Sequence, residues 1–145
     1  ALQADLVKPA GILRDPDVAA LLDFDRPVAV LLNAVLHFVS DADDPTGILD
    51  TLRSAMVGGS HLTITHGTFL DDWADKQLDA GEVLSRTPTA MHLRDSEQVA
   101  AMLSGMELIE PGIVPVNDWH PDAAVLDDDD DAPKPAVLAV VARQP

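Results

Sequence analysis

Apolar and polar positions alternate along the chain in a way that changes period from one segment to the next. Residues 28–32, Val-Ala-Val-Leu-Leu, form a short continuous apolar run between Pro27 and Asn33. A run of this length without polar interruption predicts a strand buried on both faces, of the kind found in parallel sheets. Downstream, Ile48, Leu49, Leu52, Ala55 and Met56 recur at helical spacing. Asp44 supplies a cap, Pro45 suits the first helical position, and Gly58-Gly59 supplies a stop. The spacing therefore predicts an amphipathic helix there. Arg53 falls near its negative end and Asp41, Asp43 and Asp44 near its positive end.

The same reading predicts the remaining elements. Lys8-Pro9-Ala10-Gly11 has the composition of a turn. Asp15-Pro16 opens a helix whose Val18, Leu21 and Leu22 share a face, and which stops before Arg26-Pro27. Residues 61–66 are rich in β-branched side chains and predict a strand. Helices are predicted at 69–84, capped by Thr68, and at 96–104, capped by Asp95 and ended by Gly105. The helical stripes are expected to be core. Residues 106–109 predict a strand, Glu110-Pro111-Gly112 a turn, 113–116 a short extended piece, and 136–142 a final apolar strand. Residues 117–135 are acidic and proline-bearing and predict a long loop.

Alternating helices and strands predict an α/β sheet with helices on both faces. The last two strands are joined by a loop with no helix between them. That connection implies antiparallel pairing at the end of an otherwise parallel sheet.

Composition narrows the function classes. The chain holds 145 residues, enough for one domain with a real core, and aromatic residues are scarce. There is no cysteine, so disulfides and thiolate metal sites are excluded. No signal peptide is visible and no apolar run approaches the ~20 residues of a membrane span. A cytoplasmic protein is expected. The net charge is −16, of which Asp127, Asp128, Asp129, Asp130 and Asp131 carry five. Such a surface repels phosphate backbones, so no nucleic-acid partner is expected. The aspartate run lacks the glycine and spacing of a calcium loop and reads as solvated.

Several strings carry a resemblance. They are Leu22-Asp23-Phe24-Asp25-Arg26-Pro27-Val28-Ala29-Val30, Val35-Leu36-His37-Phe38-Val39, Asp43-Asp44-Pro45, Glu110-Pro111-Gly112 and Trp119-His120-Pro121-Asp122. Together they resemble a bacterial family of S-adenosyl methyltransferases of Rossmann-like fold, the DUF574 type, over essentially the whole chain. The resemblance implies a seven-stranded sheet whose last strand is antiparallel, with residues 28–32 as its fourth strand. It also implies S-adenosylmethionine as cofactor. Asp5, in Gln3-Ala4-Asp5-Leu6, would accept a hydrogen bond from the adenine amino group, with Leu6 as an apolar wall beside the ring. Asn33 and Ala34 would touch cofactor in the loop that leaves the fourth strand, and His37 would line the pocket, with general-base catalysis as its weakest reading.

One departure from the family is large. Its amino-terminal strand, glycine-rich loop and helix bind the cofactor's amino-acid end. Here the glycines stand at 11, 47, 58, 59, 67, 81, 105 and 112, and none forms G-x-G after a strand. The resemblance thus implies that residues 1–145 are the carboxyl-terminal portion of one methyltransferase domain. Its first partner is the amino-terminal half of the same protein, and its substrate a small molecule. The other reading is a non-catalytic module of the same fold, serving protein interaction or homo-oligomer formation through a bare edge at 28–32. His61 and His66, five apart on one strand, fall on opposite faces and do not make a metal pair. His66 ends that strand and is a candidate to face substrate. Trp119-His120-Pro121-Asp122 is a candidate lid, or one tryptophan packed under a loop.

Overall fold

The structure is a computed structural model that describes residues 2–68, 90–119 and 136–145. Pro9 opens α1 (Pro9–Leu13). The segment expected as a turn is therefore a short helix, because the fixed φ of proline suits a first helical position. In α2 (Pro16–Leu21) the Asp15 carboxylate accepts from the Asp17 amide, as the cap requires. Its expected apolar face is not core: Leu21 is 84% exposed and Leu22 49%.

Strand β1 (Ala29–Asn33) pairs parallel with β2 (His61–Gly67). Between them lies α3 (Pro45–Ser54). The Asp44 carboxylate accepts from the Gly47 amide at 3.0 Å, so the helix starts where the sequence places it. Helix α4 (Ser96–Met102) begins with a capping box between Asp95 and Gln98. Strands β3 (Glu107–Leu108), β4 (Val114–Pro115) and β5 (Val137–Arg143) complete the sheet.

The strand order is β1-β2-β5-β3, with β4 also paired to β5. The last strand is antiparallel to its neighbours, as expected, but it lies inside the sheet between β2 and β3. Its sequence explains the position. β5 is almost wholly apolar and occupies a buried place, whereas β3 is two residues long and ends in the exposed Arg143–Glu107 ion pair.

The register sorts the two faces. Val30, Leu62 and Ala142 align across three strands, followed by Leu32, Ile64 and Val140. This face packs on Ile48, Leu49 and Leu52 of α3 and on Val99 and Met102 of α4. Each fully buried leucine contributes roughly 1.5–3 kcal/mol. Alternate residues point the other way, and among them Leu31 is 61% exposed. The expectation that 28–32 is buried on both faces is thus corrected. β1 lies at the end of the strand order, and only Leu32 of its five residues is buried. The helix expected at 69–84 and the acidic segment 120–135 lie outside the described residues.

Candidate functional site

Because β1 and β2 run parallel, with Asn33 opposite Thr65, their carboxyl ends emerge side by side. Ligands of open α/β sheets bind outside such ends. Ala34 leaves β1 with φ 52°, in the left-handed region. That conformation costs an alanine roughly 1–2 kcal/mol. Two hydrogen bonds hold it: the Ala34 amide donates to the Thr65 hydroxyl at 2.8 Å and to the Thr65 carbonyl at 3.2 Å. Backbone held in a sparsely populated region by its surroundings is a feature of ligand sites. The Asn33 side chain stands exposed beside this turn.

A single turn of 3-10 helix follows, Leu36–Phe38. Leu36 is fully buried and anchors the turn in the core, leaving Phe38 44% exposed. His37 is buried, and its Nδ1 accepts from the Gly67 amide at 3.3 Å. Burial lowers its pKa, so the ring is neutral at pH 7. With Nδ1 accepting, the neutral ring carries its proton on Nε2. The His37 carbonyl accepts from the His92 amide at 2.7 Å.

Behind His37 lies a second imidazole, its ring centroid 5.7 Å away. His66 is fully buried and both ring nitrogens are engaged. Nδ1 lies 2.7 Å from the Gly67 carbonyl, and Nε2 lies 3.1 Å from an Arg94 guanidinium nitrogen. A carbonyl only accepts and a guanidinium only donates. His66 therefore carries its proton on Nδ1 and accepts at Nε2. Burial holds its pKa below the ordinary histidine value, aided by the Arg94 charge and opposed by the Gly67 carbonyl.

Arg94 is itself buried. Its guanidinium also donates to the Val39 carbonyl at 2.9 Å and to the Asp41 carboxylate at 2.6 Å, and its amide donates to the Gly67 carbonyl at 3.2 Å. The guanidinium holds the Asp41 carboxyl below the usual carboxylate range. Gly67 is tightly surrounded by side chains. A Cβ there would stand 2.9 Å from Leu93 Cδ2 and 3.4 Å from Met91 Cε.

A family model described as S-adenosyl methyltransferase matches residues 1–145. The chain belongs to that family. Among solved structures it is similar to a DUF574 family protein from Streptomyces avermitilis MA-4680, with a TM-score of 0.88 and 37% identity, covering 99% of this chain and 54% of that one. It is also similar to a candidate methyltransferase from Thermobifida fusca YX, with a TM-score of 0.82 and 28% identity, covering 99% of this chain and 53% of that one. An O-methyltransferase family protein from Burkholderia thailandensis, 13% identical with a TM-score of 0.58, shares the fold, and the match covers 99% of this chain and 35% of that one. The chain thus spans about half the length of the first two relatives. No curated protein matches it.

Set against the family, the expected site residues divide into two groups. Asn33, Ala34 and His37 come together at the carboxyl ends of β1 and β2. Asp5 and Leu6 belong to the segment before α1. Leu6 is half-buried against the core. Asp5 is held in its own turn, with Oδ1 accepting from the Val7 amide at 3.1 Å and Lys8 Nζ 3.6 Å from Oδ2. It lines a separate depression of about 270 Å³ with Gln3, Lys8 and Ile12. His66 does not face substrate, because its ring is buried with both nitrogens used. Trp119 ends a 3-10 turn at Val116–Asp118, and the rest of its motif lies outside the described residues. Sequence reasoning missed Arg94 and Gly67. Among the described residues no three histidine or carboxylate side chains gather as a metal site, and no helix is long and apolar enough to cross a membrane.

Proposed function

We propose that this protein transfers the methyl group of S-adenosylmethionine to a small-molecule acceptor. The observation that carries this reading is the strained, doubly hydrogen-bonded turn at Ala34, open beside Asn33 at the carboxyl end of β1, in a chain matched throughout by the methyltransferase family.

The residues present fit the nucleoside side of the cofactor. The Asp5 carboxylate is exposed and acceptor-only, so it suits an exocyclic amine. Leu6 offers an apolar wall, the exposed Asn33 carboxamide offers both a donor and an acceptor, and Ala34 leaves room for a close approach. When bound, the cofactor supplies an activated methyl group that an in-line nucleophile takes. The chain's own task is then positioning, which contributes most when the reacting groups are held in register. His37, neutral and protonated on Nε2, suits hydrogen-bond donation better than proton abstraction. The net charge of −16 favours a small acceptor over nucleic acid.

Among the described residues β1 ends the sheet, and Leu31 on it is exposed, as are Leu21 and Leu22 at the end of α2. In relatives about twice as long, further polypeptide is available to cover such a surface. We assign this edge to the amino-terminal half of the same protein. This edge, unpaired among the described residues, also favours a second reading, a non-catalytic module that dimerises through β1.

Calorimetric titration of the intact protein with S-adenosylhomocysteine separates the two. Micromolar binding is the expected result. A stable dimer that binds no S-adenosylhomocysteine would overturn the methyltransferase reading in favour of the module.

A further inference from the structure

A buried arginine is costly unless each of its donors finds a partner, and replacing buried ionic groups by well-packed apolar ones is often neutral or stabilising. What Arg94 can supply is directional bonding, since its planar guanidinium fixes several acceptors at once. Its acceptors come from two places in the chain: His66 and Gly67 at the end of β2, and Val39 and Asp41 in the loop after β1. Gly67 in turn donates to His37 Nδ1. All of these lie beside the carboxyl ends of β1 and β2.

We infer that Arg94 is a positioning residue of the cofactor site, fixing the tautomer of His66 and, through Gly67 and Val39, the placement of His37. The chain of contacts runs as follows. Arg94 donates to His66 Nε2, which obliges His66 to carry its proton on Nδ1. That proton is donated to the Gly67 carbonyl, which also accepts the Arg94 amide. The Gly67 carbonyl is thereby fixed from two sides, and with it the residue whose amide donates to His37 Nδ1. Its acceptance there places the His37 proton on Nε2. At the same time the bond from Arg94 to the Val39 carbonyl holds the loop two residues beyond His37. Arg94 need not touch the cofactor in this role. The inference rests on the methyltransferase reading only for what the positioned loop serves.

Nitrogen-15 NMR of the histidine rings and S-adenosylhomocysteine titration test it together. In the intact protein, His66 should show the Nδ1–H tautomer and His37 the Nε2–H tautomer. Arg94→Met should remove the fixed tautomer of His66 and shift the His37 ring signals. It should also raise the pH at which His66 titrates, since the groups that face that ring are Arg94 and His37, with Asp41 and His92 beyond them. S-adenosylhomocysteine affinity should fall about tenfold, the effect of a loop held in its binding-competent arrangement only about a tenth of the time. Ile48→Val, in the core, should lower the melting temperature and leave affinity and ring signals unchanged. Should Arg94→Met not fold, Arg94→Lys takes its place. It keeps the charge but cannot serve His66, Val39 and Asp41 with one planar fork, and intermediate losses are expected. Variants of lowered melting temperature with unmoved histidine signals and wild-type affinity would overturn the inference. If the unaltered protein binds no S-adenosylhomocysteine, the methyltransferase reading fails, and the ring signals alone still decide whether Arg94 sets the two tautomers.

Discussion

The two halves of the buried interior are held by different physics. Under the middle of the sheet, Ile48, Leu49 and Leu52 meet Leu62, Ile64 and Val140, all buried and all apolar. At the carboxyl ends of the same strands the buried groups are His37, His66 and Arg94. The first half gains from any apolar neighbour of suitable volume, because burial is non-directional. The second half is stable only in one arrangement of donors and acceptors. Among the described residues no buried side-chain nitrogen or oxygen lacks a partner, so that arrangement is fully satisfied. The comparison teaches where this molecule spends directional bonding: at the strand ends, beside the strained turn of Ala34.

Breaking the apolar half should have the largest effect on stability. Leu49 is fully buried, so Leu49→Ala should cost about 2–5 kcal/mol in denaturant unfolding. The His66 ring signals should not move, since no part of the polar network is touched. Moved signals would mean that the two halves are not separable.

Acid should act on the polar half next. His37 and His66 have folded-state pKa values lowered by burial. Their contribution is therefore complete above the unfolded value of about 6.5 and is lost as pH falls from there toward the folded values. The denaturation midpoint should fall as pH drops below about 6.5, and Arg94→Met should flatten that fall because His66 then titrates closer to its unfolded value. A midpoint level across this range would contradict the neutral buried pair.

Two smaller effects sharpen the contrast with the surface. Asp44→Ala removes the carboxylate that caps α3 at 3.0 Å from the Gly47 amide and should cost about 1 kcal/mol by thermal melting. Glu107→Gln breaks the exposed pair with Arg143 and should cost under about 1 kcal/mol, less at high salt.

The apolar half was legible in the sequence, and the polar half was not. α3 could be read because its cap, its proline and its 3.6-residue stripe are all local signals. The end of β1 at Asn33 could be read because a polar residue interrupts an apolar run. Arg94 carried no such signal. It sits in an irregular stretch, and its partners are 28, 53 and 55 residues away in sequence. No period links residues so far apart. The place of His66 at a strand end makes it a candidate to face substrate, since nothing local shows that Arg94 lies against its ring. The expected double burial of β1 failed for a related reason. Apolar composition reports what a strand can bury, and whether a second layer covers it depends on other parts of the fold.

The central claim is that the carboxyl ends of β1 and β2 form the surface that meets the cofactor. Amide chemical shifts of the intact protein, recorded as S-adenosylhomocysteine is added, test it most directly. The account predicts the largest changes at Asn33, Ala34 and His37, with a second set at Asp5 and Leu6, and little at Leu49 or Leu52. Saturable binding that leaves Asn33, Ala34 and His37 unmoved would contradict it.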